Sequence, residues 1–198
     1  MPITIRDVRE HELDSIVAVN NAAGPSILPM DLAKARFFWE HAEYFRVVEQ
    51  DGLVSGFLVA LGPEAPYDSP NFLWFRERYP DFLYIDRIVI ARPRRGGGRG
   101  RVFYADVQSF AEVRRPLLAC EVFLQTGNDP ALLFHGHFGF REVGQNVMAA
   151  NDIRASMLLK EMCSYPFVAE TYGGRLPDVD WLRARPLPGR RPVLATGT

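Results

Sequence analysis

Cysteine, long apolar runs and an excess of charge of either sign are scarce or missing in this sequence. The two cysteines, Cys120 and Cys163, have neither the spacing of a metal site nor the density of a secreted disulfide framework. The first ten residues contain no apolar stretch of the kind that a signal peptide or a membrane span requires, so we expect a cytoplasmic protein with no membrane contact. The formal net charge of −1, from 23 basic and 24 acidic residues, creates no field that would favour nucleic acid.

What the sequence does have is the composition of one globular domain. Of its 198 residues, 47% are hydrophobic and 24% are charged, which is enough for a sizeable core. Residues 165–198 differ, because they are rich in proline and arginine and have little periodicity. We therefore divide the chain into a domain of residues 1–164 and a C-terminal extension of residues 165–198.

Apolar periodicity and turn residues predict a mixed α/β fold. Alternating or continuous apolar runs predict about seven strands, at residues 3–8, 44–50, 53–61, 82–90, 117–123, 141–147 and 156–161. Apolar residues at helical spacing predict about four helices, at residues 10–21, 31–41, 101–114 and 128–137. The dipeptide Asp51-Gly52 predicts a hairpin between the second and third strands. Residues 62–81 are loop-like, although they are aromatic as well as rich in proline.

A basic, glycine-rich loop lies between the fourth predicted strand and the helix that follows it. It reads Arg94-Arg95-Gly96-Gly97-Gly98-Arg99-Gly100-Arg101. A strand that runs into such a loop and then into a helix places backbone N–H groups at the positive end of the helix, where they bind phosphate, and glycine lets the backbone approach closely. Arg95, Arg99 and Arg101 would add charge-assisted hydrogen bonds. A merely structural turn is the alternative interpretation.

Other glycine-rich motifs fit this loop less well. No Gly-Lys-Ser/Thr sequence ends the loop, which excludes a Walker nucleotide-binding loop, and the spacing lacks the dinucleotide fingerprint with its later acidic residue. A single Arg-Gly-Gly could suggest RNA contact, but it is not repeated and it lies between two well-patterned elements. We therefore expect a phosphate-containing ligand and no nucleic acid.

Taken together, three motifs resemble those of the GNAT acyltransferases. They are Arg95-x-x-Gly98-x-Gly100, similar to the acetyl-CoA loop, Ile85-x-x-Ile88-x-Ile90, similar to the fourth strand, and Asn128-x-x-Ala131-x-x-Phe134-His135-x-x-x-Gly139-Phe140, similar to the second signature. Order and spacing agree across residues 3–162, and Ile-Asp-Arg-Ile looks most like a branch of uncharacterised bacterial acetyltransferases. The resemblance implies a mostly antiparallel central sheet of about seven strands, splayed between strands four and five, with about four flanking helices.

The resemblance also implies how acetyl-CoA would bind as co-substrate, without a metal. The backbone of Ile88, Val89 and Ile90 would pair with the pantetheine arm, and Asn128 stands where many relatives reach the same arm. The pyrophosphate would be held by Arg95, Gly96, Gly97, Gly98, Arg99, Gly100 and Arg101. His135 stands where the family often has a tyrosine that protonates the leaving thiolate, and this departure leaves the identity of the acid open. Relatives often form homodimers.

Three side chains are candidates for catalysis. Free amines are mostly protonated near pH 7, so acyl transfer to an amine benefits from a general base. Asp86 in the fourth strand and Glu121 in the fifth interrupt otherwise apolar strands, where a charge is costly without a function or a partner. An ion pair with Arg87 or another arginine is the alternative interpretation. His135 could act as acid or base near neutral pH, or it could hydrogen-bond a loop carbonyl.

The sequence therefore predicts an acetyl-CoA-dependent N-acetyltransferase that modifies a primary amine, with a small-molecule acceptor favoured over a protein. A non-catalytic acyl-CoA-binding or sensing module is the alternative, in which the glycine loop is retained and the catalytic candidates are structural. Tyr84 and Tyr104 are interpreted as packing residues. The aromatic segment 62–81 either covers the core or helps to shape the acceptor pocket.

Overall fold

The structure is a computed structural model that describes residues 3–24, 27–124, 129–148 and 153–173. Its strands are β1 (Thr4–Asp7), β2 (Tyr44–Gln50), β3 (Leu53–Leu61), β4 (Leu83–Ile90), β5 (Leu117–Phe123), β6 (Arg141–Met148) and β7 (Ile153–Glu161). Its helices are α1 (Leu13–Asn21), α2 (Leu32–His41), α3 (Pro70–Arg76), α4 (Arg99–Glu112), α5 (Asp129–His137) and α6 (Tyr165–Tyr172). Short 3-10 turns at Glu10–Glu12 and Arg92–Arg94 precede α1 and α4.

The seven predicted strands and the four predicted helices are all present, and two further helices add to them. One is α3, which forms within the aromatic segment 62–81 and begins at Pro70, where the fixed φ and the missing N–H of proline suit the first turn of a helix. The other is α6, which lies at the start of the predicted C-terminal extension. The division into a domain and an extension stays a prediction, since the described residues end at residue 173.

The seven strands form one mostly antiparallel sheet in the order β1-β2-β3-β4-β5-β7-β6. The pair β4 and β5 is parallel, and its register covers only Leu83–Ile85 against Leu118–Cys120. Beyond this short ladder β4 continues along β3 to Ile90, whereas β5 continues along β7 to Phe123. The two central strands therefore separate toward their C-terminal ends, which confirms the predicted splay between strands four and five.

A β-bulge lies on β4 at the point where the gap opens. Val59 of β3 pairs with Arg87, but the next residue, Ala60, pairs with Ile85, so Asp86 is an extra residue on β4. A bulge re-aims side chains and lets consecutive ones lie on the same side of the strand. The carboxylate of Asp86 and the guanidinium of Arg87 are accordingly in contact, with Oδ2 and Nε 2.6 Å apart.

Both faces of the sheet are covered, because the central strands are apolar on both sides. Helices α1, α2 and α3 cover one face with buried side chains that include Ile16, Phe38 and Phe72. Helix α4 covers the other face with Phe103 and Val107, and apolar residues of α5 pack against the same cluster. The gap between β4 and β5 therefore connects two separate layers of helices.

The sequence predicts neither a membrane span nor a metal site. No helix among the described residues is long and apolar enough to cross a membrane. In the same part of the chain, no group of three or more histidine, cysteine, aspartate or glutamate side chains could hold a metal ion. Cys120 is a buried free thiol and Cys163 is an exposed one.

Candidate active site

A cavity of about 1040 Å³ occupies the gap between β4 and β5. On one face of the sheet its walls are residues 27–31, helix α2 and residues 67–71, and on the other face they include Ala131 and His135 of α5. The two carboxylates predicted from the strand patterns, Asp86 and Glu121, both line it. The cavity slightly exceeds the usual size of small-molecule sites and lies between strands of an α/β sheet, where such sites commonly occur.

Asp86 is held in an ion pair. Its Oδ1 accepts a hydrogen bond from Tyr67 Oη at 2.5 Å, and its Oδ2 accepts one from Arg87 Nε at 2.6 Å. Arg87 in turn donates to Asn20 Oδ1 at 2.9 Å and to the backbone carbonyl of Leu28 at 3.3 Å. The alternative interpretation of Asp86 as an ion-pair partner of Arg87 therefore describes its geometry.

Glu121 lies across the gap on β5 and is in a different situation. Its Oε2 accepts a hydrogen bond from Tyr84 Oη at 2.6 Å, and no arginine or lysine forms a salt bridge with it in the described part of the chain. Removal from water, followed by the negative charge of Asp86, raises the pKa of Glu121 from 4.5 to about 7, although hydrogen bonds from Tyr84 and Asn71 act in the opposite direction. A carboxylate with this pKa suits a general base at neutral pH.

His135 is buried on the other side of the cavity. Its Nδ1 lies 2.6 Å from Tyr104 Oη and 3.4 Å from Cys120 Sγ. Burial lowers its pKa from 6.5 to about 4, so the imidazole is neutral at physiological pH. A neutral imidazole is a poor proton donor, so of the roles left open for His135 its electrostatic environment does not favour that of the acid.

The glycine loop has the geometry of a tight turn into a helix. Gly96 and Gly98 adopt φ values of +82° and +77°, which strain any residue with a Cβ, and Gly98 is the residue before the first turn of α4. A Cβ at either position would meet no atom within 4 Å, so the space beside both glycines is open. Gly100 is different, because its Cβ would lie 3.3 Å from the ring of Phe134. The loop thus exposes backbone to an open space at a helix start.

The arginines of the loop have partners within the protein. Arg95 donates from Nε to the carbonyl of Ile90 at 3.1 Å and from Nη2 to the carbonyl of Ala23 at 2.9 Å. Arg99 donates to the carbonyl of Arg94 at 2.6 Å and to the side chain of Gln50. In this conformation both side chains hold the loop in shape, whereas Arg101 is exposed at the start of α4.

The backbone proposed to pair with a pantetheine arm lies along the gap. Ile88, Val89 and Ile90 form the end of β4 beyond the ladder with β5, and Ile88 lines the cavity. Asn128 lies outside the described residues. Of the candidate residues, the gap therefore brings together Asp86, Glu121, His135 and Ile88.

Sequence reasoning missed the partners of the catalytic candidates. Tyr84 and Tyr104 were predicted to be packing residues, yet each hydrogen-bonds a candidate side chain as well as being fully buried. Tyr67 belongs to the aromatic segment 62–81. The structure shows that its side chain both lines the cavity and packs in the core. In the sequence Tyr67 is a tyrosine beside turn residues, and this pattern alone does not identify Asp86 as its hydrogen-bond partner.

Lys34 of α2 is a further cavity residue that the sequence did not single out. Its Nζ lies 3.9 Å from the centre of the Tyr67 ring, and burial lowers its pKa. Two basic side chains line the cavity, Lys34 and Arg87. Four acidic side chains line it as well, Asp31, Asp68, Asp86 and Glu121. With Glu121 ionised the lining is net negative, which favours a positively charged ligand.

Comparisons with solved structures identify the fold. A putative GNAT-family acetyltransferase from Desulfovibrio desulfuricans matches with a TM-score of 0.65 and 16% identity, covering 81% of this chain and 99% of that one. The chain has the GNAT fold. A ribosomal-protein-S18-alanine N-acetyltransferase from Escherichia coli matches with a TM-score of 0.61 and 14% identity, covering 81% of this chain and 94% of that one.

A third structure with the GNAT fold was solved with a ligand. It is a putative acetyltransferase from Salmonella typhimurium with its cofactor acetyl-CoA, which matches with a TM-score of 0.59 and 16% identity over 82% of this chain and 95% of that one. No protein-family model matches this sequence, and no curated protein sequence is significantly similar to it. The GNAT fold is therefore recognised from the three-dimensional arrangement of the chain.

Proposed function

We propose that this protein is an acetyl-CoA-dependent N-acetyltransferase that acetylates the primary amine of a small molecule. The observation that carries the proposal is Glu121, a carboxylate with a pKa of about 7 that lines the cavity between the splayed strands. Such a group is about half ionised at neutral pH and can accept the proton of an acceptor ammonium ion. The GNAT fold and the three sequence motifs support the same reaction class.

The residues around the gap fit acetyl-CoA, which when bound would supply the acetyl group as a thioester. The open space beside Gly96 and Gly98 would let their backbone approach the pyrophosphate at the start of α4. Residues Ile88 to Ile90 would offer the edge of β4 to the pantetheine arm, as in strand addition. Arg95 and Arg99 would hold the loop in shape, and Arg101 would be the side chain left to meet phosphate.

The acceptor would enter on the face covered by α2 and residues 67–71. Its ammonium would be attracted by the net negative lining and would lose a proton to Glu121, and the neutral amine would then attack the thioester carbonyl. Asp86 would stay paired with Arg87 and would act through its negative charge on Glu121. A small molecule is favoured because the cavity is lined by side chains from several elements.

The test combines ligand binding and turnover on one sample. Thermal unfolding would be followed with acetyl-CoA, free CoA and adenosine 3′,5′-bisphosphate, and thiol release would then be measured with a panel of amines. A ligand at about 100 times its Kd should add about 2.7 kcal/mol of stability. Stabilisation together with amine-dependent thiol release is the expected result. Stabilisation without release from any amine would favour an acyl-CoA-binding module, and no stabilisation would refute the acyl-CoA assignment.

A further inference from the structure

Tyr104 and His135 form a buried pair whose hydrogen positions can be assigned by counting donors and acceptors. Tyr104 is completely buried, and its Oη lies 2.6 Å from His135 Nδ1. Among the described residues Nδ1 is the acceptor available to the Tyr104 hydroxyl proton. If Nδ1 carried the ring proton instead, the hydroxyl proton would be buried without a partner, which costs about 1–3 kcal/mol.

Cys120 supports the same assignment. Its Sγ lies 3.4 Å from Nδ1, and burial keeps its pKa well above the ordinary value, so it is a protonated thiol and a weak donor. Nδ1 thus faces two neighbours that carry protons. The ring proton of the neutral imidazole therefore belongs on Nε2, for which no hydrogen-bond partner is present in the described ranges.

We propose that Tyr104 is a positioning residue that fixes the Nε2–H tautomer of His135, and that His135, which lines the same cavity as Ile88 and Glu121, acts as a neutral hydrogen-bond donor toward the departing sulfur. This inference rests on the proposed acetyl transfer. When the carbon–sulfur bond breaks, its electron pair stays on sulfur, and the Nε2–H group stabilises the resulting thiolate without giving up its proton. The nitrogen that attacked must lose one more proton to become an amide, and the thiolate takes up a proton through water, so the two transfers balance. Preorganised donors of this kind in a dry site act on charge that develops during a reaction.

In this assignment His135 and Glu121 have different roles, since only Glu121 gains and loses a proton. A histidine that gave its proton to the thiolate would have to start as an imidazolium ion, and burial disfavours that form. The titration of Glu121 is then expected to set the pH dependence of the rate near neutral pH, because His135 remains the same neutral donor over this range.

The decisive experiment is nitrogen NMR of the free protein labelled with ¹⁵N-histidine, which requires no turnover. The His135 signals would be identified by their loss in His135→Gln. We expect the two nitrogens of His135 to report a neutral ring protonated on Nε2 from pH 5.5 to pH 8. Tyr104→Phe keeps the ring that packs on Phe134 and Phe138, with centroids 4.8 Å away in each case, and should shift the tautomer populations toward Nδ1–H.

Either of two NMR results would overturn the proposal: an Nδ1–H tautomer in the wild type, or an imidazolium ion at pH 6. A kinetic comparison then tests the role of the donor. His135→Leu should lower kcat by about 10²-fold, in line with the loss of one preorganised donor, and Tyr104→Phe by less, with the affinity for adenosine 3′,5′-bisphosphate, which lacks the sulfur, unchanged in both. Loss of the tautomer preference without any change in kcat would refute the catalytic part. If acetyl-CoA did not bind at all, the proposed function would fail while the NMR result stood.

Discussion

Replacing Glu121 with glutamine tests the central assignment through stability as well as through rate. In the folded protein the pKa of this carboxyl is raised from 4.5 to about 7, so ionising it opposes folding. The penalty is absent below pH 4.5, grows as the pH rises to 7, and is constant above pH 7. The difference of about 2.5 pH units corresponds to about 3 kcal/mol at full ionisation.

Glutamine has the shape of glutamate, keeps an oxygen that can accept the hydrogen bond of Tyr84, and does not ionise. Glu121→Gln should therefore raise the free energy of unfolding by up to about 3 kcal/mol at pH 8 and by almost nothing at pH 4.5. The measurement is urea denaturation of both proteins at several pH values. A stability difference that did not change between pH 5 and pH 8 would refute the raised pKa.

The same substitution should remove the base. In the wild type, kcat/KM should fall tenfold per pH unit below about pH 7, as Glu121 becomes protonated. In Glu121→Gln the rate should be lower by about 10²–10⁴-fold at pH 8, and the acidic limb near pH 7 should disappear. A variant that was more stable and equally active would show that Glu121 is desolvated for some reason other than catalysis.

The remaining predictions concern the surroundings of the site and the core. Tyr84→Phe removes a hydrogen bond that lowers the pKa of Glu121, so the acidic limb of kcat/KM should move up by about one pH unit in a pH–rate profile. Gly98→Val places a β-branched residue at φ +77° and should weaken CoA binding at least tenfold by calorimetry, whereas Gly136→Ala, where a Cβ meets nothing within 4 Å, should leave the affinity unchanged. Phe38→Ala deletes a fully buried ring of α2 and should destabilise the protein by about 3–5 kcal/mol in urea denaturation, while an unchanged midpoint would contradict its place in the core.

The sequence predicted most of the fold, because the strands and four of the helices carry strong periodicity. The hairpin at Asp51-Gly52 is an example, with both residues at positive φ in the structure. Helix α3 was missed because it is a short helix within a segment rich in proline and turn residues, where periodicity has too few turns to be visible. The separation of β4 and β5 followed from the family resemblance, since no local pattern encodes where two strands stop pairing.

The candidate site was predicted less completely, because its properties depend on contacts between distant segments. A charged residue in an apolar strand identified both Asp86 and Glu121, but the pattern could not say which of them would be paired. The bulge on β4 determines which carboxylate is paired, because it turns Asp86 to the same side as Arg87. The alternation of apolar and polar residues in the sequence does not reveal such a bulge. The buried partner of His135 was hidden for the same reason, since Tyr104 belongs to another helix.

The two carboxylates of the gap illustrate how one cavity gives like groups different chemistry. Asp86 accepts hydrogen bonds from Tyr67 and Arg87, and its negative charge disfavours a second charge on Glu121. Glu121 accepts a hydrogen bond from the Tyr84 hydroxyl and forms no salt bridge with a described residue, and removal from water raises its pKa to about 7. A base must be able to release that proton once the acceptor has reacted, and a pKa near 7 lets it do so at neutral pH. The ion pair of Asp86 with Arg87 therefore places a negative charge beside Glu121 and helps to raise the pKa of the proposed base.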